Sequence, residues 1–305
     1  MIKVLPYKGK PLEEIRPAYF LKAFGEDVLD MRIFSFGRCN YSCPYCKRNG
    51  YNKENLDIEW AVDIDEADFM DKVDEAIDFK EVVRLSGGDP VCYPEFSRKV
   101  LKYVKSQGGI TSIAHNGSGP EFVKSIAPYL DFASIDFKAN NYQELAKIAG
   151  ISEENAKSSF ERTVKTIDIL SDFGVYTDIR TCVFDTTKLE DLQEIGKLIT
   201  QNGKNDNKFW TLRTFSNIEE YEKNPKSKEE MQKLALDLSS DFSKLKIGLR
   251  DKWAPGGFSY YLNGQQVDKF PEKDKRLCFG ERKDNKGISL VEIQNAYENV
   301  RAKTL

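Results

Sequence analysis

The sequence predicts an α/β fold, with βα units arranged around a parallel sheet. Short apolar, β-branched runs alternate with longer stretches of helical period, which is the rhythm of strands joined by crossover helices. Capping and stop residues flank several of the helical stretches, and the rhythm ends after residue 250. The 305 residues are 40% hydrophobic and 31% charged, a globular balance in a chain long enough to bury a sizeable core.

Taken in order, residues 1–30 precede the first strand and read as an N-terminal cap. Strands are expected at 31–36, 81–87, 109–115, 132–138, 175–184 and 209–215, with KIGLR at 246–250 as a candidate seventh. Between them, apolar residues at three- and four-residue spacing predict helices over 65–78, 95–107, 120–129, 141–149, 156–173, 188–201 and 227–242. Ser152 and the pair Thr187, Glu190 have the pattern of N-terminal caps, and Gly174 follows the long helix as a stop. Past Arg250, Asn263-Gly264 stands between two strand-like pieces as in a type I′ hairpin, and a helix is expected over 289–302. The domains are therefore 1–30, a body over 31–250, and an appendage over 251–305.

The same residues argue against several classes. No apolar run approaches the roughly 18 residues of a membrane span, and the N-terminus lacks the apolar stretch of a secretory signal, so a cytoplasmic location is expected. A net charge of −3 gives no overall attraction for a nucleic acid. Lysines and glutamates are interleaved as on solvated helix faces.

Six cysteines are present, and three lie together in Phe36-Gly37-Arg38-Cys39-Asn40-Tyr41-Ser42-Cys43-Pro44-Tyr45-Cys46, directly after the first strand. Clustered cysteines in a chain without a secretory signal point to metal or redox chemistry before disulfides. A loop leaving the C-terminal end of a parallel strand is where α/β folds place their chemistry. Three thiolates can ligate a four-iron cluster and leave one iron open to a substrate or cofactor. The next cysteine, Cys92, is far along the chain. A structural zinc site is the alternative, but such sites usually show a second Cys or His pair, and the single histidine, His115, is remote.

The C-x3-C-x2-C triplet, with the aromatic Tyr45 before its third cysteine, resembles the cluster loop of the radical S-adenosylmethionine (SAM) superfamily. That resemblance implies a partial (βα)6 TIM-like barrel with an N-terminal cap and a C-terminal hairpin and helix appendage. It implies a [4Fe-4S] cluster on Cys39, Cys43 and Cys46, with S-adenosyl-L-methionine chelating the fourth iron. It further implies reductive cleavage to a 5′-deoxyadenosyl radical, and an electron donor such as flavodoxin or ferredoxin.

Further strand ends support the resemblance. Gly87-Gly88-Asp89-Pro90 is similar to the GGE-P element that receives the amino group of SAM. Adjacent glycines leave room for a ligand, and a carboxylate suits an amine, with Asp89 shorter than the usual Glu. His115-Asn116-Gly117 is similar to a T-N-G-T element, which makes Asn116 a candidate contact for SAM or substrate. His115 is read as structural in preference to a general acid or base. Asp136 and Lys138 share one face of a strand by period two. They resemble a D-x-K pair of glycyl-radical-enzyme activases that positions SAM or substrate, although a buried ion pair closing the barrel is the other reading. Arg180, alternating with Asp178 and Cys182, is the candidate for SAM's carboxylate, with Arg213 second. Cys92 and Cys182 read as small buried residues, and Cys278 is isolated.

A small-molecule substrate is favoured. The activase alternative has the Asp136-x-Lys138 and Asn116-Gly117 elements in its support, but residues 2–30 lack the glycine-rich segment usual in activases. Modification of tRNA and a non-catalytic iron-sulfur or zinc module remain as further alternatives. The aromatic and glycine-rich run at 253–261 is a candidate lid, or equally a packed hairpin.

Overall fold

The computed structural model describes residues 1–267 apart from 8–9, 12–13, 25–28, 47–56, 202–206, 215–222 and 251–257. The expected helix over 289–302, Cys278 and the first part of the candidate lid lie outside the described residues.

The chain opens with β1 (Ile2–Val4), β2 (Pro6–Tyr7), β3 (Lys10–Pro11) and β4 (Glu14–Pro17), then a 3-10 turn over Tyr19–Phe24 and β5 (Asp30–Phe36). It continues through β6 (Val62–Ile64), α1 (Glu66–Asp78), β7 (Val82–Gly87), α2 (Pro94–Ser106), β8 (Thr111–His115), α3 (Pro120–Ile126) and β9 (Phe132–Asp136). Next come α4 (Tyr142–Ala149), α5 (Glu153–Asp172), β10 (Tyr176–Cys182), α6 (Leu189–Gln201) and β11 (Lys208–Arg213). The last elements are α7 (Lys228–Asp241), β12 (Lys246–Arg250), β13 (Phe258–Leu262) and β14 (Gln265–Val267).

Strands β5, β7, β8, β9, β10, β11 and β12 are neighbours in that order, and every pair is parallel. The candidate seventh strand is thus part of the barrel wall. At one edge β4 and β1 pair antiparallel with β5, and β6 pairs with β1; at the other, β13 and β14 add antiparallel to β12. β1 and β4 therefore extend the sheet, while β2 and β3 pair only with each other among the described residues. The β13–β14 turn has Asn263 at φ 50° and Gly264 at φ 72°, the two positive angles of a type I′ turn.

Period two sorts the wall. Outward residues such as Val83, Leu85, Ile113, Ile135, Ile179, Trp210, Leu212 and Ile247 form the main core with the helices. Inward residues make two layers. The floor is apolar, with Met31, Val82, Phe132 and Phe209 packed around Ala18, Phe20 and Leu21. Phe20 meets Phe132 edge-on at 5.2 Å, and the Tyr260 hydroxyl donates to the Tyr19 carbonyl, so the N-terminal segment plugs the barrel and ties it to β13. Above the floor the inward positions turn polar, which sets the chemistry at the open end.

Helix starts follow local side-chain chemistry. Ser152 accepts from Asn155 N, so α5 begins at Glu153, ahead of the expected position. Ser227 and Glu230 form a reciprocal capping box on α7. Thr187 does not cap α6. Its hydroxyl accepts from Phe184 N, while Asp191 reaches back to the Lys188 N–H. Among the described residues no helix is long and apolar enough to cross a membrane.

Candidate functional site

The cysteine loop leaves the top of β5 and is held on three sides. On the β7 side, Gly88 N donates to Phe36 O at 2.7 Å and Asp89 N to Arg38 O at 2.8 Å. On the β8 side, Asn116 Nδ2 donates to Asn40 Oδ1 at 2.6 Å and Asn40 Nδ2 to Ser118 Oγ at 2.8 Å. On the third side, Ser42 N reaches Ala149 O and its hydroxyl reaches Gly150 O. Gly150 ends α4 at φ 64°, and a Cβ there would sit 2.3 Å from Ser42 O. Cys39 and Cys43 are buried, Cys46 is half-buried, and all three are free thiols.

Burial pushes the Cys43 thiol up to about 12 and the Cys39 thiol well above the usual range. A metal that takes them as thiolates must therefore displace their protons. Among the described residues no three His, Cys, Asp or Glu side chains close around one point as they would around a single ion. A cuboidal cluster asks for something different, one thiolate at each of three corner irons. Three free thiols on one short, anchored loop at the barrel mouth fit that group.

The Gly87-Gly88-Asp89-Pro90 turn has another geometry than expected. A Cβ on Gly88 would lie 2.0 Å from Arg38 O, and one on Gly87, at φ 100°, 2.2 Å from Phe36 N. The glycines make room for the backbone of the cysteine loop. The Asp89 carboxylate, 1% exposed, accepts from Val91 N at 2.9 Å, His115 Nδ1 at 2.7 Å and Asn116 N at 2.8 Å. These take up most of its lone pairs, so it locks the β7 and β8 ends together, and Pro90 is buried beside it. His115 Nε2 accepts from Gly119 N at 3.2 Å. Nδ1 therefore carries the hydrogen and both ring nitrogens are used, which matches the structural role read for this histidine. Asn116 is also committed, its Nδ2 to Asn40 and its Oδ1 to Ser118 N.

Asp136 ends β9, and Lys138 follows two residues on, beyond the strand, with its side chain against Asp136. Lys138 Nζ donates to Asp136 Oδ2 at 2.8 Å and to the Tyr45 hydroxyl at 3.3 Å. Burial would raise the Asp136 carboxyl, but Lys138, Arg213 and Arg180 outweigh it and hold it down to about 2. Burial works against the Lys138 ammonium, and Asp136 leads the groups that overcome it and raise it. Tyr45 also stacks edge-on against Phe184 at 5.3 Å. On β10, Arg180 Nε donates to Asp178 Oδ2 at 2.7 Å and its Nη2 to Ser134 Oγ, which leaves it only part of its guanidinium for a ligand.

Two inward arginines, Arg84 on β7 and Arg250 on β12, were not singled out in the sequence. The signal was present: each is a charge inside an apolar strand run, the pattern that marked Asp136 and Lys138. A cleft of about 270 Å³ also borders Lys138 and Cys182, between α4 and α6. Its polar groups are already paired, Asn140 with Asp191 and Lys223 with Glu144.

The family described as the radical SAM superfamily matches residues 33–199. A Methanocaldococcus jannaschii protein named as a candidate glycyl-radical enzyme activating enzyme is 24% identical over 221 residues, 70% of this chain and 81% of that protein. The 7-carboxy-7-deazaguanine synthase of Thermococcus kodakarensis is 25% identical over 192 residues, 58% of this chain and 72% of that one. Among solved structures, Streptococcus suis SuiB bound to S-adenosylmethionine superposes with a TM-score of 0.56 at 15% identity, over 72% of this chain. The chain spans about half the length of SuiB, 49%.

Proposed function

The chain belongs to the radical SAM superfamily, and on that premise we propose that it is an enzyme holding a [4Fe-4S] cluster on Cys39, Cys43 and Cys46, cleaving S-adenosylmethionine, and acting on a small-molecule substrate. The observation that carries this reading is the anchored loop of three free thiols at the C-terminal mouth of a parallel barrel. Bound there, cluster and S-adenosylmethionine would supply the 5′-deoxyadenosyl radical that abstracts hydrogen from the substrate, with a flavodoxin- or ferredoxin-type protein as electron donor.

The chain's own residues orient and shield. Gly87, Gly88, Asp89 and Pro90 fix the loop against β7. Asn116 fixes the loop against β8. Tyr45 and Lys138 wall the site on the β9 side, and the Lys138 ammonium offsets negative charge beside Cys43. Asp136, with a third of its side chain open to solvent, offers a carboxylate to a cationic group, and Arg180 keeps part of its guanidinium for a carboxylate. Residues 31–250 form the catalytic body in this reading, with 1–30 and 251–305 as its appendages.

The plugged floor and polar lumen favour a small substrate. The similarity to the named activating enzyme favours a second reading, installation of a glycyl radical on a protein partner. Anaerobic reconstitution with SAM and a strong reductant tests the common core: about four irons per chain and release of 5′-deoxyadenosine are expected. A protein that takes up zinc and leaves SAM intact contradicts it. A stable glycyl radical appearing on a co-encoded partner protein would replace the small-molecule reading by the activase one.

A further inference from the structure

The upper lumen is rich in positive charge. Arg84, Arg180, Arg213 and Arg250 stand on four strands and Lys138 just beyond a fifth, against the carboxylates Asp136 and Asp178 among the described residues. Lys138 is spent on Asp136, and Arg180 on Asp178. Asp178 also accepts from the Thr211 hydroxyl at 2.6 Å. That leaves three guanidinium groups, Arg84, Arg213 and Arg250, without a direct carboxylate ion pair among the described residues, although Arg213 lies within the field of Asp136 and Asp178.

Their positions are costly for an empty barrel. Arg213 and Arg250 face each other in register on adjacent strands, and like charges directly opposed are destabilising. Arg84 is 4% exposed; it donates from Nη1 to Ser112 Oγ at 2.8 Å, and its guanidinium lies over the Phe20 ring at 5.4 Å. A guanidinium offers five donors and stays protonated in proteins, and among the described residues one of Arg84's meets a side-chain acceptor. Burial, then Arg180, with Arg250 and Arg213 adding to it, pulls Arg84 well below its ordinary value. Burial, then Arg213, Arg180 and Arg16, brings Arg250 down to about 9, with Asp178 opposing. Arg213 goes the other way: burial would lower it, but Cys182, Asp136 and Asp178 outweigh burial and raise it, so burial and the neighbouring arginines weigh mainly on Arg84 and Arg250.

We propose that this lumen receives an oxyanion of the substrate, a carboxylate or phosphate group bound between Arg213 and Arg250 with Arg84 contributing. Guanidinium pairs take such groups in bidentate fashion, and the floor of Phe132 and Phe209 leaves a dry, fixed wall beneath. The assignment rests on the catalytic reading above, because it names the substrate class of that same site. It places the substrate's anionic end deep in the barrel and its other end toward the cysteine loop.

The test uses the reconstituted holoenzyme at constant ionic strength, with melting temperature read against sodium chloride as reference. Inorganic phosphate and succinate are the probes, one arm for each oxyanion, with and without saturating SAM. At least one probe should raise the melting temperature, with SAM present or absent, while Arg250→Gln and Arg213→Gln weaken its apparent affinity about tenfold or more. Arg98→Gln, an exposed residue paired only with Glu95, should respond as the wild type does. Arg250→Gln should also melt higher than wild type without any anion, since it relieves repulsion; a merely structural arginine would give the opposite. No response beyond chloride, a response unchanged in both variants, or a lower anion-free melting temperature for Arg250→Gln overturns the proposal. Loss of the response in the presence of SAM does so too, by assigning the site to SAM's own carboxylate. Iron content and 5′-deoxyadenosine are read on the same samples, so failure of the catalytic reading is seen separately.

Discussion

Replacing Asp89 by Ala separates a scaffolding carboxylate from one that binds the cofactor. The structure gives Asp89 three donors, Val91 N, His115 Nδ1 and Asn116 N, all within 2.9 Å, at a site 1% exposed. Removing the acceptor strands all three, and each buried unsatisfied donor costs about 1–3 kcal/mol. Water entering the small hole recovers part of this, so the low end applies, a loss of about 3 kcal/mol in total. With a urea slope of about 3 kcal/mol/M for a chain of this size, the midpoint should fall by about 1 M. Asp89→Asn keeps one oxygen and should lose about half as much. Anaerobic urea unfolding followed by circular dichroism reads both variants, and SAM affinity of the loaded proteins is measured beside it. An Asp89→Ala protein that unfolds at the wild-type midpoint but has lost SAM affinity would refute the scaffolding role.

Other perturbations test neighbouring parts of the account. Cys43→Ala should abolish iron loading on reconstitution, whereas Cys92→Ala, Cys182→Ala and Cys278→Ala should each keep it; loss of iron in any of the last three would require a different ligand set. Gly88→Ala drives a Cβ to within 2.0 Å of the Arg38 carbonyl, a clash with backbone that costs about 3 kcal/mol. It should lower both the urea midpoint and the iron content, and normal loading would show that the loop does not depend on this contact. The Asp136 carboxyl is depressed to about 2, so its contribution is present above its ordinary value near 4 and is lost as pH falls through 2. With a third of the side chain in water, the contribution is about 1 kcal/mol. Asp136→Asn should therefore flatten the loss of stability between pH 4.5 and about 2.5, and an unchanged acid slope counts against the pairing.

Much of this molecule was legible in its sequence because two periods dominate it. The wall strands and their helices alternate along the chain, and the two-residue repeat pointed to Asp136 and Lys138 as neighbours, although β9 ends at Asp136 and Lys138 lies just past it. What was missed came from other strands. His115 and Asn116 meet Asp89 from 26 and 27 residues away, and no local pattern says that this carboxylate is already occupied. The glycines before it looked like space for a ligand, yet the backbone filling that space belongs to Phe36 and Arg38. Thr187 had the right spacing for a cap, but its hydroxyl turns back to the Phe184 N–H. The strands β1, β4 and β6 are too short to show a period, and only their pairing with β5 and with each other defines them.

In the proposed site three cysteine ligands leave one iron open to S-adenosylmethionine. The most direct measurement is the electron paramagnetic resonance spectrum of the reduced, reconstituted protein before and after addition of SAM. A new ligand on the open iron changes that iron's electronic environment, so the account predicts a cubane cluster signal that shifts when SAM is added. A full cluster signal unmoved by saturating SAM, or no cluster signal from a protein carrying zinc, would contradict it.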